Sequence, residues 1–330
     1  MDDKLFTICI PTYNRARKLD VALAAILKQV VCRSRKCISV YVSDNCSEDE
    51  TSVVLAKYRK CYPDILKVKR QESNIGFERN FWDSVISSES KYVAILGDDD
   101  VVMPGYVDEV LFVLEQYHDV AYLNVNMLRY DDGCYVGVRD PFCCYGLGKY
   151  YEKAGEFVKE HTHCPSQVSS NVFRKDLFVK AYESNKSDAY PGYAWFAALL
   201  IGILDYPCFY IDRPLIVSNS SSSLSWEKYA PLYYIVGLGR IFSDLDRRYE
   251  GIYAAWRQVF YGPFFYRYCL DTMLKYRSYY KSIWPDIESC CVTSDYARIA
   301  REYVFLNRKI FRFKDITRRV VKSVQNLFKR

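Results

Sequence analysis

Two periods of apolar and polar residues alternate along the first 120 residues. Apolar runs of four to six residues at Leu5–Ile10, Ile38–Ser43, Leu66–Lys69 and Tyr92–Leu96 read as strands, because they are short and bounded by turn-forming residues. Between them, apolar positions recur every three or four residues over Arg17–Gln29, Thr51–Tyr58 and Phe77–Ile86, which predicts helices. Strands alternating with helices imply a mostly parallel sheet covered on its faces by helices, an α/β architecture. Such sheets bind ligands beyond the carboxyl ends of their strands.

The later part of the chain reads differently. Ala194–Leu204 is apolar throughout but falls short of the roughly 18 residues a membrane span needs, so it reads as a buried helix. Helices are expected over Tyr193–Ile203, Tyr229–Leu245, Tyr253–Tyr261 and Phe264–Tyr276, with Gly262-Pro263 as a break. The run from Val217 to Ser223 contains five serines and an asparagine; a linker and a mobile loop over a ligand both fit it. The expected division is a sheet domain over residues 1–225 and a helical appendage over 226–330.

Composition narrows the class. With 330 residues, half of them hydrophobic, the chain has enough material for a sizeable core and is not expected to be disordered. The 31 tyrosines and 18 phenylalanines suit surfaces that are apolar on one side and wet on the other, an unspecific signal. The chain starts Met1-Asp2-Asp3-Lys4 and runs directly into a strand pattern, without the features of a secretory signal. Its 13 cysteines show no Cys-x-x-Cys spacing. They are read as reduced thiols of a cytoplasmic protein rather than as disulfides or a zinc site.

The loops after the four strands carry the chemistry. They are Pro11-Thr12-Tyr13-Asn14-Arg15, Asp44-Asn45-Cys46-Ser47, Asn74-Ile75-Gly76 and Gly97-Asp98-Asp99-Asp100. Any one of them could be a turn or a helix cap. Four in succession at one sheet edge are hard to assign to chance. In the last loop three adjacent carboxylates repel one another unless a cation or a set of donors neutralises them. A divalent metal such as Mg²⁺ or Mn²⁺ satisfies that need through hard oxygen ligands; a solvated acidic turn is the bland alternative.

Together these strings resemble family 2 glycosyltransferases, strongly over about residues 4–120 and weakly to about residue 225. The abequosyltransferase-like O-antigen and capsule enzymes look most similar. The resemblance implies the GT-A fold, a nucleotide-diphosphate sugar donor with a UDP-sugar favoured, inversion at the anomeric carbon and dependence on Mn²⁺ or Mg²⁺. It implies that Pro11, Thr12, Tyr13 and Arg15 lie along the nucleotide, and that Asp44 accepts a hydrogen bond from the base. It further implies that Asn74, Gly76 and Arg79 line the nucleotide pocket, Gly76 by allowing close backbone approach and Arg79 by facing phosphate. Asp98 and Asp99 fall on the donor side and Asp100 becomes the principal metal ligand. Asp98-x-Asp100 resembles the family's Asp-x-Asp motif; aligned instead on the common Asp-x-Asp-Asp form, Gly97 would stand in place of the first aspartate.

The match falters at the general base. The family commonly carries a Glu-Asp pair before a helix in the second half of the domain, and none precedes Tyr193. Asp188 is the nearest carboxylate and the first candidate, followed by His163 and His161; Asp205 and Asp212 are weaker. Ser169–Arg174 resembles a segment that floors the sugar pocket in related transferases.

Charge adds one feature. The chain is +6 overall, but residues 305–330 hold nine Lys and Arg against one acid, a surplus of eight that leaves the remainder at −2. In this tail Phe313, Ile316, Val320, Val324 and Leu327 fall on one helical face. A basic amphipathic helix reads as an anchor on an anionic membrane surface; a terminal helix packed on the body is the alternative. The body has no matching basic stripe, which argues against nucleic acid. The leading expectation is a transferase at the inner face of the cell membrane, acting on a growing, lipid-linked glycan. A catalytically silent protein that binds nucleotide or scaffolds glycan assembly stays open. A sugar nucleotidyltransferase is disfavoured, because the loop after the first strand lacks glycine.

Overall fold

The computed structural model describes residues 5–304 apart from 33–36, 132–133, 140–145, 147, 185–188, 221–226, 261–262, 290–296, 298–299 and 302–303. Two compact units emerge: residues 1–185 with 198–222, and residues 186–197 with 223–330.

The first unit is built on one ten-stranded sheet. Strands β1 (Phe6–Thr12), β2 (Ile38–Asp44), β3 (Leu66–Arg70) and β4 (Tyr92–Ile95) form its parallel half, in the order β3-β2-β1-β4. Strands β1, β2 and β4 are buried along their whole length, as expected where helices cover both faces. Pro11 sits inside β1, opposite Ser43 of β2. It is tolerated because β4 pairs with β1 only as far as Cys9, so the missing N–H of Pro11 falls where β1 has a single neighbour.

Helix α1 (Ala16–Cys32) buries Leu19, Leu23, Ile26, Leu27 and Val30 against one face. It shares that core with α2 (Thr51–Cys61) and α4 (Tyr106–Gln116). On α3 (Phe77–Ile86), Phe81 meets Phe178 of α6 (Lys175–Ser184) at 6.0 Å between ring centroids.

The other half of the sheet comes from β5 (Val101–Val102), β6 (Tyr122–Asp131), β7 (Cys134–Val138), β8 (Lys149–Tyr151), β9 (Asn171–Arg174) and β10 (Cys208–Ser220). The order continues β4-β9-β6-β10-β5, with β7 on β6 and β8 on β10. Strand β9 is antiparallel to both β4 and β6, which brings the carboxyl ends of β4, β6 and β10 to one edge. The β6–β10 register shifts between Ile211 and Ile216, where Pro214 interrupts the ladder and the Asn126 side chain bonds the Asp212 carbonyl at 2.9 Å. Helix α5 (Ala154–Glu160) follows β8.

Helix α7 (Ala194–Ile203) belongs to the first unit from Ala198 onward. There Gly202 packs so closely on the Leu177 carbonyl of α6 that a Cβ would lie 2.8 Å from it.

The second unit is helical and aromatic. It holds a π-helix at Leu232–Leu238, then α8 (Gly239–Asp246), α9 (Ile252–Phe260), α10 (Pro263–Lys275), α11 (Arg277–Ser282) and α12 (Trp284–Ser289). Phe242 stacks on Trp256 at 5.5 Å, and the Tyr190 hydroxyl donates to Asp244 at 3.0 Å. Among the described residues no helix is long and apolar enough to cross a membrane. Cys9, Cys164, Cys208 and Cys269 are buried free thiols. The basic tail, residues 305–330, lies outside the described residues.

Candidate active site

The four polar loops are tied to one another at the carboxyl edge of the parallel strands. Asn14, at φ 52°, occupies the left-handed region that asparagine tolerates. Its amide N–H donates to Ser47 Oγ at 2.9 Å, and its Oδ1 accepts the Glu48 N–H at 2.7 Å. The Asn45 N–H donates to the Thr12 carbonyl. Asn45 also reaches the third loop, donating from Nδ2 to Asn74 Oδ1 at 2.9 Å and accepting the Ile75 N–H at 2.9 Å. Asn74 Oδ1 also accepts the Gly76 N–H at 2.9 Å. Gly76 adopts φ 81° and ψ 163°, a region essentially reserved for glycine. No atom lies within 4 Å of where its Cβ would be, so its requirement in this structure is conformational rather than steric.

Asp44 ends β2 with its side chain 1% exposed. Oδ1 accepts the Ser47 N–H at 2.9 Å, and Oδ2 pairs with the Arg70 guanidinium at 2.9 Å. Ser43 is held beneath it by Asn80, whose Oδ1 accepts the Ser43 hydroxyl at 2.7 Å and whose Nδ2 donates to the Ser43 carbonyl at 2.9 Å. In the first turn of α3, Asn80 is therefore turned to the sheet, whereas Arg79 is exposed.

The three aspartates after β4 aim at different partners. Asp98 Oδ2 accepts the Thr12 hydroxyl at 2.7 Å, and the carboxylate also receives the Tyr13 N–H. With its side chain only 12% exposed, burial pushes the Asp98 carboxyl up to about 6; Thr12 and Arg15 pull it down, and Asp99 pushes it further up. Asp99 pairs with Arg15 at 2.6 Å and with Lys18 at 3.4 Å. Asp100 Oδ2 accepts the Ser169 hydroxyl at 2.5 Å. Tyr13 is 39% exposed and presents its ring at the surface of this edge.

Among the described residues no three His, Cys, Asp or Glu side chains converge to hold a metal by themselves. A hard cation held by one or two carboxylates and completed by substrate phosphates requires no such group. The carboxylates of Asp98–Asp100, at the edge of the linked loops, fit Mg²⁺ or Mn²⁺ in that mode.

The structure thus brings Pro11, Thr12, Tyr13, Arg15, Asp44, Asn74, Gly76, Asp98, Asp99 and Asp100 into one run of linked loops. His163 precedes Cys164, whose Sγ lies 3.6 Å from His163 Nε2. His161 sits among Phe157, Tyr210 and the Tyr151 hydroxyl. Asp188 falls outside the described residues. Sequence reading passed over Lys18, Arg70 and the Ser169 contact with Asp100. Gln71 directly follows β3, so the strand-end rule that singled out the other loops would have found it; Arg70 is the last residue of the strand itself.

The profile described as Glycosyl transferase family 2 matches residues 7–178, just over half the chain. The abequosyltransferase RfbV of Salmonella typhimurium is 32% identical over 138 residues, which is 42% of this chain and 40% of that protein. The poly(ribitol-phosphate) beta-N-acetylglucosaminyltransferase TarS of Staphylococcus aureus is 28% identical over 124 residues, 36% of this chain and 21% of that protein. The chain thus spans less than half the length of either. Among solved structures, S. aureus TarS 1-349 in complex with UDP-GlcNAc superposes with a TM-score of 0.60 at 16% identity, covering 98% of this chain and 92% of that one. The mannosyltransferase PcManGT of Pyrobaculum calidifontis, in complex with GDP-Man and Mn2+, gives 0.51 at 13% identity, covering 97% and 86%. These likenesses show a shared GT-A fold, and with the profile match they place the chain: it belongs to glycosyltransferase family 2.

Proposed function

We propose that this protein is an inverting, metal-dependent glycosyltransferase. It moves a sugar from a nucleotide-diphosphate donor, a UDP-sugar foremost, to a hydroxyl of a growing, lipid-linked surface glycan. The observation that carries the reading is the linked run of loops at one sheet edge, with Thr12 bonded to a buried Asp98 and Asp100 beside it. Two related proteins support the donor class: a TarS structure contains UDP-GlcNAc and a mannosyltransferase structure contains GDP-Man.

In this reading Tyr13 and the Asn74–Gly76 turn flank the nucleotide, and Asp44 accepts from the base once the Arg70 guanidinium leaves its Oδ2. Asp98 is kept in place by Thr12 and faces the ribose, while Arg15 and Lys18 balance Asp99. Asp100, with Asp98 or Asp99, would hold Mn²⁺ or Mg²⁺, which when bound neutralises charge on the departing diphosphate. The acceptor hydroxyl must lose a proton as it attacks the anomeric carbon from the face opposite the diphosphate. Asp188 is the first candidate for that base and His163 the second.

The test is a panel of nucleotide sugars with Mn²⁺, scored for binding by calorimetry and for release of free nucleotide diphosphate. Metal-dependent binding of one donor with slow turnover, lost in Asp100→Ala, is the expected result. Binding without turnover, even with crude lipid acceptor, would favour the silent scaffold. Absence of metal-dependent binding would mean that the acidic turn has another use.

A further inference from the structure

Ser169 lies in a short 3₁₀ turn, Val168–Ser170, just before β9 and across from the acidic turn. The residue is 1% exposed. Its Oγ accepts the Gly97 N–H at 2.8 Å and donates to Asp100 Oδ2 at 2.5 Å. The amide fills an acceptor site on the oxygen, and the hydroxyl has a single proton, so that proton is committed to the carboxylate. The bond polarity is therefore fixed along the line from Gly97 through Ser169 to Asp100.

Gly97 makes this contact possible. A Cβ there would stand 3.2 Å from Asp100 Oδ2, 3.3 Å from Asp99 Oδ1 and 3.3 Å from Ser169 Oγ. With no side chain at this position, the hydroxyl of Ser169 reaches the turn. The mount behind Ser169 is firm. The Ser170 hydroxyl bonds the Gln167 carbonyl at 2.7 Å, and Asn171 Nδ2 bonds the Pro165 carbonyl at 3.0 Å. The Tyr122 hydroxyl donates to Asn171 Oδ1 at 2.6 Å, and the buried Arg139 guanidinium donates to the Cys164 carbonyl at 3.0 Å. Buried polar groups satisfied in this way hold one arrangement.

We infer that Ser169 is a positioning residue that sets the orientation of Asp100 toward a divalent cation. The inference rests on the metal-dependent reading proposed above. It differs from that reading in assigning part of the metal affinity to a side chain that does not touch the metal. Partners of this kind are worth roughly 10- to 100-fold in metal affinity.

The experiment is titration of Mn²⁺ into the full chain with UDP present, read by electron paramagnetic resonance. It is run on wild type, Ser169→Ala, Gly97→Ala and Asp100→Ala. Ser169→Ala is expected to weaken Mn²⁺ binding about tenfold, with metal-free UDP binding unchanged. Its turnover should recover as Mn²⁺ is raised, which a merely structural defect would not allow. Gly97→Ala, which crowds the same bond from the other side, should weaken Mn²⁺ binding in the same way. Unchanged Mn²⁺ affinity in Ser169→Ala, beside loss in Asp100→Ala, overturns the positioning role and leaves the metal reading intact. Weakened binding accompanied by loss of metal-free UDP binding also overturns it. A wild type that binds no Mn²⁺ with UDP defeats the metal reading, and this inference with it.

Discussion

Gly76 and Gly97 are needed for different physical reasons, and substitution should separate them. At Gly76 the backbone itself excludes other residues, since φ is 81° with open space around the missing side chain. Gly76→Ala should therefore destabilise the fold by about 1–3 kcal/mol through backbone strain alone. Denaturant unfolding would show this as a lower midpoint with an unchanged slope; an unshifted midpoint would mean that the loop relaxes at no cost. The sequence points to Gly76 for close backbone approach to a nucleotide, and the dihedral adds a second requirement. The residue type was legible because so few residues punctuate a chain this way, whereas the local dihedral was not. Arg70 shows the complementary failure. Its identity is ordinary, and only its register opposite Asp44 in the paired strands gives it meaning.

At the scale of elements, Asp49 ties two helices together. Its Oδ2 accepts the Ala16 N–H at the start of α1 at 3.0 Å, and its Oδ1 accepts the Thr51 N–H at the start of α2 at 3.0 Å. Burial alone would raise its carboxyl, but bonds from the Thr51 hydroxyl and the two amides outweigh that and hold it below the ordinary value. A depressed folded-state value means that the stabilisation is present above the unfolded carboxylate range and is lost as pH falls through the folded one. Asp49→Ala should thus cost about 1–2 kcal/mol near neutral pH. The gap between variant and wild type should close as the solution is acidified, which thermal melts across pH would reveal. A gap independent of pH would show that the carboxylate is not its source.

The parallel half of the sheet was readable because β1, β2 and β4 are buried on both faces and so appear as apolar runs. The strand β1 extends two residues beyond its apolar run, to Thr12, because β2 continues to pair with it. Strands β6 and β10 were not anticipated for an equally physical reason. Asn124 and Asn126 interrupt the apolar pattern of β6 yet are fully buried, their amides satisfied by partners distant in sequence. Pro214 interrupts β10 where the ladder already bulges.

For the whole molecule, the linked loops of the candidate site were legible because a parallel sheet places every post-strand loop at one edge. The general base was not, because it follows no such rule and its first candidate, Asp188, lies outside the described residues. The charge asymmetry supports a separate prediction. Nine cations sit in residues 305–330, and each cation near an anionic leaflet contributes about 1 kcal/mol. Removing 305–330 should release the protein from vesicles containing phosphatidylserine while leaving nucleotide binding unchanged. Undiminished sedimentation with such vesicles would assign membrane attachment elsewhere, or to none.

The interleaved order of the strands also matters while the chain is being made. Strand β4 is finished at Ile95, but its second neighbour, β9, begins only at Asn171. Likewise β6 ends at Asp131 and waits for β10, which starts at Cys208. At translation rates of about 5–20 residues per second, these flanks stay open on the order of ten seconds after they emerge. A fully buried strand such as β4 is apolar on both faces, so its open flank is a sticky surface on the ribosome. The nascent chain therefore has a built-in interval during which chaperones that recognise extended apolar segments should engage it, ending as Asn171–Arg174 emerges.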